Sequence, residues 1–119
     1  MVKTYGLSHI SLRVADLERS ARFYADVFGA EVYFREAAQV QMTIPGRYDV
    51  LAFERGTPSA EGGITHFGFR LIDPADIELA VAEVERAGGK LLRKGEFAPG
   101  LPYAYVHDPD GYEIEIWFE

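Results

Sequence analysis

Two segments of the chain share one alternation of apolar and polar residues. Residues 7–14 read LSHISLRV and residues 64–71 read ITHFGFRL, so the two histidines, His9 and His66, lie 57 positions apart in matching surroundings. An alternation of period two is typical of a β-strand that buries one face. Both segments are therefore predicted to be strands that pack one face in a core and present an imidazole and a guanidinium on the other.

A helix is predicted after each of these strands. Asp16 is placed to cap the first helix, whose apolar stripe is Leu17, Ala21, Tyr24 and Phe28, and Gly29 is expected to end it. In the second half, Asp73 is the expected cap, Pro74 the first helical residue and Gly88 the stop. The buried stripe of this second helix is expected to be Ile77, Ala80, Val81, Val84 and Ala87.

Three strand-like segments follow each helix. They cover residues 31–36, 40–44 and 48–54 in the first half, and 90–93, 103–107 and 112–118 in the second. The chain is thus predicted to be one domain, 1–119, of two βαβββ modules at about 5–55 and 64–119, joined by a linker at 56–63. Since one such module buries little surface alone, an α+β fold is expected in which the two sheets curve around a shared cleft with the helices outside.

Composition and charge narrow the classes of function. The chain has 119 residues, a net charge of −7 and no basic run, which argues against a nucleic-acid or membrane partner. The absence of cysteine excludes disulfides, thiolate nucleophiles and cysteine-ligated zinc. With no apolar leader and no apolar stretch of spanning length, a cytoplasmic protein is expected.

The last strand adds carboxylates to the two histidines. Ile114 and Ile116 alternate with Glu113, Glu115 and Trp117, so the two glutamates are predicted to share the face opposite the core. Two neutral imidazoles and one carboxylate can hold a divalent transition metal and leave coordination positions open for a substrate. Because equivalent strands of paired modules are expected to meet, the repeat predicts that the two histidines contribute to one metal site.

At this point the sequence resembles the vicinal oxygen chelate superfamily, which includes glyoxalase I, extradiol dioxygenases, fosfomycin-modifying enzymes and bleomycin-resistance proteins. The resemblance rests on three segments: His9 with residues 14–17 and 23–24, His66 in its strand, and the turn and strand at 108–115. It implies the glyoxalase/bleomycin resistance/dihydroxybiphenyl dioxygenase-like fold and, as metal ligands, His9, His66 and Glu115. Glu113 is the alternative ligand if the register is shifted.

The same resemblance indicates a departure from glyoxalase I. Those enzymes have a fourth ligand, a glutamate in the last strand of the first module. When residues 49–53 of this chain are aligned with residues 112–116, Ala52 stands at the position of that glutamate. Glu54 lies two residues further on the same face and is either a shifted ligand or an auxiliary base. Three protein ligands are the number expected for dioxygenases and fosfomycin-type enzymes, so glyoxalase I activity is disfavoured.

Other residues are candidates for contact with a substrate. The pattern from Tyr105 to Glu115 resembles the C-terminal signature of extradiol dioxygenases, which implies that Tyr105 hydrogen-bonds the substrate. Arg13 and Arg70 either orient an anionic substrate or pair with acidic residues at the module rim. Tyr103 and Trp117 either form an aromatic wall of the cleft or pack in the core.

Two functions of different class follow. The first is an enzyme that uses Fe²⁺, Mn²⁺, Zn²⁺ or Ni²⁺ to act on a small substrate chelating through adjacent oxygens, most like an extradiol dioxygenase or a glyoxalase-type protein. The second is a metal-free protein that sequesters a cationic aromatic antibiotic, as in bleomycin resistance; the net charge of −7 and the aromatic content of 13% suit it. The resemblance also implies a homodimer, with the site formed either within one chain or across two.

Overall fold

The computed structural model describes residues 1, 3, 9–47, 49–59, 62, 64 and 66–118. The chain divides into two compact units, Met1–Thr57 and Pro58–Glu119, each described by itself below. Parts of three predicted strands, at Leu7, Ser8, Tyr48 and Thr65, lie outside the described residues.

The first unit is a four-stranded sheet with one helix. Its elements in chain order are β1 (Ile10–Val14), α1 (Leu17–Phe28), β2 (Glu31–Glu36), β3 (Gln39–Thr43) and β4 (Leu51–Arg55). The strand order is β1-β4-β3-β2, in which β1 pairs with β4 in parallel and the other neighbours are antiparallel. The two ends of the module are therefore neighbours in the sheet.

The second unit repeats this topology. Its elements are β5 (Phe67–Arg70), a 3₁₀ turn (Pro74–Asp76), α2 (Ile77–Arg86), β6 (Lys90–Glu96), β7 (Pro102–His107) and β8 (Glu113–Trp117). The strand order is β5-β8-β7-β6, again with one parallel pair, β5 with β8. The predicted α+β fold of βαβββ modules is confirmed, while a cleft shared by the two sheets stays a prediction.

The first helix begins and ends as its sequence predicts. The Asp16 carboxylate accepts a hydrogen bond from the Arg19 amide at 3.0 Å, and this bond lowers the pKa of Asp16. Gly29 ends the helix with a φ of 67°, a left-handed conformation that glycine adopts without a Cβ penalty.

The second helix differs from the prediction in its first turn. Asp73 does cap, since its carboxylate accepts from the Ala75 amide at 2.9 Å, but the turn that begins with Pro74 is 3₁₀ and α2 begins only at Ile77. Short 3₁₀ turns are common at helix N-termini, where the first amides lack intrahelical partners. Gly88 follows the helix with a φ of 93°.

Each sheet buries one face against its helix. In the first unit, Tyr24 and Phe53 are fully buried, with ring centroids 4.9 Å apart. In the second, Val84 of α2 is fully buried, as are Val106 and Ile114 of the sheet. Val81 is also buried, but the other residues of the predicted stripe, Ile77, Ala80 and Ala87, are only half-buried. No helix in the described part of the chain has the length and apolar composition needed to cross a bilayer.

Both sheets carry a β-bulge at the same place. The register shifts between Val32 and Phe34 in β2, and between Leu91 and Arg93 in β6. β6 also extends three residues past the predicted end at Arg93, to Glu96. A bulge inserts an extra residue and so changes which side chains of the strand reach each face.

Removing one aromatic ring from the core of the first unit is expected to destabilise the protein. Phe53→Ala removes a fully buried ring and should lower the free energy of unfolding by about 3–5 kcal/mol, as measured by urea denaturation. Ile72→Ala, at a side chain that is 91% exposed, is the control and should change it by less than about 0.5 kcal/mol. Equal effects of the two substitutions would contradict the packing described here.

Candidate metal centre

The polar face of the second sheet collects most of the predicted site residues. Ala104, Val106, Ile114 and Ile116 are buried, so the residues between them in β7 and β8 point to the opposite face. This opposite face, called the site face below, carries Tyr103, Tyr105, His107, Glu113, Glu115 and Trp117. The predicted faces of the last strand are thus confirmed.

Strand register brings the key side chains into one row. Glu115 lies opposite Gly68 of β5 on one side and opposite Tyr105 of β7 on the other. The row continues into β6, where Arg93 lies opposite Tyr105. Because directly opposite residues share a face, Arg93, Tyr105 and Glu115 are neighbours on the site face.

The Glu115 carboxylate is the centre of this row. Its Oε1 accepts a hydrogen bond from the Tyr105 hydroxyl at 2.9 Å, and its Oε2 lies 3.2 Å from His66 Nε2. The Glu115 side chain is 14% exposed and that of His66 is 35% exposed. One oxygen of the Glu115 carboxylate thus accepts a hydrogen bond from Tyr105, and the other oxygen faces the His66 imidazole.

The spacing of these two donors fits a metal ion. Two ligand atoms each about 2.1 Å from a metal and at right angles are roughly 3 Å apart, close to the separation of His66 Nε2 and Glu115 Oε2. Imidazole nitrogen and carboxylate oxygen are also the donor types of a facial triad. Among the residues that the structure describes, no three His, Asp or Glu side chains are grouped so that they could hold a metal ion. The second unit contains two of the three predicted ligands, His66 and Glu115.

Glu113, the alternative ligand, is engaged elsewhere. Its Oε1 accepts a hydrogen bond from Arg93 Nη2 at 2.9 Å. The carboxylate beside His66 is that of Glu115, the glutamate that the resemblance implies as the ligand.

Burial and charge raise the pKa of the Tyr105 hydroxyl. Desolvation is the largest cause, followed by the hydrogen bond to Glu115, while the nearby Arg93 guanidinium acts in the opposite sense. The hydroxyl therefore stays protonated and donates to Glu115, and its oxygen still has acceptor capacity for a further donor.

Aromatic rings extend the site face away from Glu115. The Tyr103 ring stacks on Phe97, with centroids 4.4 Å apart and planes inclined by 26°. Tyr103 covers Gly95, where an added Cβ would lie 2.9 Å from the Tyr103 hydroxyl oxygen, so this placement of the ring depends on a glycine. Trp117 stands in the same row as Tyr103, with Arg70 as its partner in β5.

The first unit presents the corresponding row without a carboxylate. Ser11, two residues after His9, lies opposite Ala52, just as Gly68, two residues after His66, lies opposite Glu115. Ala52 therefore holds the position equivalent to Glu115, as the alignment predicts.

Glu54 lies one row away from that position. It is exposed and stands opposite Arg13, which is also exposed, at the place that Trp117 occupies in the second unit. Its location does not restore a carboxylate to the row of Ala52.

The structure thus brings part of the predicted site together. His66, Glu115 and Tyr105 are in contact, and Tyr103 and Trp117 lie on the same face. The other predicted residues His9, Arg13 and Glu54 belong to the first unit. His9 precedes β1 and is exposed. Arg93 was not among the site residues predicted from the sequence. Strict alternation puts Arg93 on the same face as Leu91, and only the bulge between them brings it opposite Tyr105.

Comparison with known proteins identifies the family. The model of the Glyoxalase/Bleomycin resistance protein/Dioxygenase superfamily matches residues 6–116. The chain belongs to this superfamily. The resemblance and the fold expected from the sequence are therefore confirmed.

Relatives within the superfamily differ in activity. The chain is 33% identical to metapyrocatechase of Geobacillus stearothermophilus over 95% of its own length, but spans only 34% of that protein. It is 32% identical to lactoylglutathione lyase of Haemophilus influenzae, covering 91% of this chain and 88% of the relative.

A solved structure shows the same fold with a metal. A variant of the fosfomycin resistance protein FosX from Listeria monocytogenes, complexed with Mn(II) and a dihydroxypropylphosphonic acid, superposes with a TM-score of 0.81 at 22% identity, covering 96% of this chain and 90% of the other. At this identity the likeness shows that the two chains share a fold.

The raised pKa of Tyr105 predicts a pH dependence in the metal-free protein. The folded state holds the phenolic proton more tightly than the unfolded state, so this stabilisation is complete below pH of about 10 and is lost as the pH rises through the raised pKa. Wild-type protein should lose more stability than Tyr105→Phe above pH 10 in urea denaturation. Parallel stability profiles would contradict this, and Tyr33→Phe, at an exposed tyrosine, is the control.

Proposed function

We propose that this protein is a divalent-metal-dependent enzyme acting on a small substrate that chelates the metal through adjacent oxygens. The ligands in this proposal are His9, His66 and Glu115, with Fe²⁺, Mn²⁺, Zn²⁺ or Ni²⁺ as the metal. The observation that carries the proposal is the approach of His66 Nε2 to Glu115 Oε2 while Tyr105 binds the other oxygen of the same carboxylate. Such an arrangement orients one carboxylate oxygen as a single donor.

Within this class, the proposed reaction is most like that of an extradiol dioxygenase. Ala52 in the position equivalent to Glu115 supports three protein ligands rather than four, which leaves more positions for substrate and a further ligand. The 33% identity to metapyrocatechase supports the same choice. A glyoxalase-type reaction is the alternative within the class, supported by the identity to lactoylglutathione lyase.

Each residue has a distinct part in this proposal. A bound divalent ion would supply Lewis acidity, withdrawing electron density from the chelated substrate oxygens. Glu115 contributes negative charge on the metal side, and Tyr105 donates to Glu115 while its oxygen accepts from a substrate hydroxyl. Glu54 is the proposed auxiliary base.

The aromatic residues are proposed to select the substrate. Tyr103 and Trp117 offer flat surfaces along the site face, and Phe97 lengthens this surface by its stack on Tyr103. Arg13 and Arg70 are proposed to attract an anionic group of the substrate. The functional unit is proposed to be a homodimer, with His9 supplied by the same chain or by a second copy.

Metal retention tests the ligand set. Wild-type protein loaded separately with each of the four ions and desalted should retain about one ion per site by elemental analysis. His9→Ala, His66→Ala and Glu115→Gln should each weaken retention by more than about 100-fold, since even outer partners of ligands contribute 10- to 100-fold.

His107→Ala is the matched control for these variants. It removes a histidine from the site face two residues from Tyr105 and should leave metal retention unchanged. If the wild-type protein retains none of the four ions, the enzyme proposal fails.

The second candidate is metal-free sequestration of a cationic aromatic compound. The net charge of −7 and the exposed Phe97 beside Tyr103 favour it. It requires such a compound to bind equally well with and without a chelator of divalent metals, whereas the enzyme proposal requires binding of a catechol to depend on the metal.

Aromatic substrates test the role of Tyr103. With Fe²⁺-loaded protein and catechol, dioxygen uptake is expected, and Tyr103→Ala should raise the KM by about 3- to 10-fold, because a lost ring contact costs about 0.5–1.5 kcal/mol. Metal retention should be unchanged. Leu79→Ala, at an exposed position of α2, is the control and should not change the KM; an equal KM for Tyr103→Ala and wild type would contradict the assignment.

A further inference from the structure

Arg93 contacts two residues of the site face without contacting Glu115. Its guanidinium carbon lies 4.0 Å from the centroid of the Tyr105 ring, and its Nη2 donates to Glu113 Oε1 at 2.9 Å. Tyr105 in turn donates to Glu115. One side chain of β6 is therefore linked to both glutamates of β8, to Glu113 directly and to Glu115 through Tyr105.

We propose that Arg93 is a positioning residue that determines which glutamate of β8 serves as the metal ligand. It holds Glu113 in an ion pair, and it supports the Tyr105 ring in the orientation from which the hydroxyl reaches Glu115. This inference rests on the proposed function, since it concerns how the metal site is selected.

Glu113 and Glu115 are competitors by geometry. They lie two residues apart on the same face of one strand, roughly 7 Å along its axis, so both carboxylates are within side-chain reach of a cation on that face. A carboxylate without a cationic neighbour attracts a metal more strongly than one that already has such a neighbour. Because Glu113 is paired with Arg93, Glu115 is the carboxylate that remains available as a ligand.

The chemistry of arginine suits both contacts. A planar guanidinium stacks on an aromatic face and donates hydrogen bonds from its edge at the same time, which the ammonium of lysine does less well. The Arg93 side chain is 56% exposed, so the ion pair contributes little to folding stability. Its effect is expected on the metal site rather than on the fold.

The next residue provides a matched control. Lys94 Nζ lies 2.7 Å from both carboxylate oxygens of Glu78, a residue of α2. Lys94→Met removes the same charge from the same strand, in an ion pair with α2 that does not involve the site face.

The experiment measures the affinity for Mn²⁺ alone by calorimetry, together with the absorption spectrum of bound Co²⁺, which reports the ligand set. Arg93→Met should weaken Mn²⁺ binding by about 10-fold and change the Co²⁺ spectrum, in line with the effect of outer partners on metal sites. Arg93→Lys should restore only part of the affinity. Lys94→Met should match the wild type in both measurements.

Double-mutant cycles separate the two routes. If Arg93 acts through Glu113, then adding Arg93→Met to Glu113→Gln should cost little further affinity; if it acts through Tyr105, the same should hold in the Tyr105→Phe background. Full additivity in both cycles, or equal behaviour of Arg93→Met and Lys94→Met, would overturn the inference. Absence of Mn²⁺ and Co²⁺ binding by the wild type would instead overturn the proposed function, and this inference with it.

Discussion

The parallel pairing of β5 with β8 is the constraint on which the candidate site depends. A shift of one residue would turn Glu115 towards the core and bring Ile114 and Ile116 to the site face. Full burial of an isoleucine contributes about 1.5–3 kcal/mol, whereas a typical hydrogen bond contributes a net 0.5–1.5 kcal/mol, so the two isoleucines hold this register more firmly than the polar contacts of the site do. The apolar side of the strand thus positions the chemistry of its polar side.

Charge on the site face is divided between two groups of contacts. One is the ion pair of Arg93 with Glu113, and the other is the set of His66 and Tyr105 around Glu115. Tyr105 belongs to both, because its ring lies under the guanidinium and its hydroxyl binds Glu115. The Tyr105 side chain is therefore the contact that links the two groups.

Most of the fold and part of the site could be predicted from the sequence. Alternation identified the buried and polar faces of β8, because the faces of a strand follow from local periodicity. The alignment made on the family resemblance placed Ala52 at the position equivalent to Glu115, which the strand pairing confirms. The 3₁₀ turn at Pro74 was not predicted, since a proline at the first helical position suits either type of turn. Arg93 was missed because the bulge in β6 breaks the alternation, and the hydrogen bond of Tyr105 to Glu115 depends on cross-strand register that one sequence does not reveal.

Equivalent bulges in β2 and β6 give the two units matching rows of side chains that differ in chemistry. It brings Phe34 opposite Gln41, which is opposite Ala52, so the first unit carries an uncharged copy of the row formed in the second by Arg93, Tyr105 and Glu115. One row therefore holds ionisable groups and the other holds none. A substitution in the row of Phe34, Gln41 and Ala52 therefore removes none of the side chains that form the contacts among Arg93, Tyr105 and Glu115.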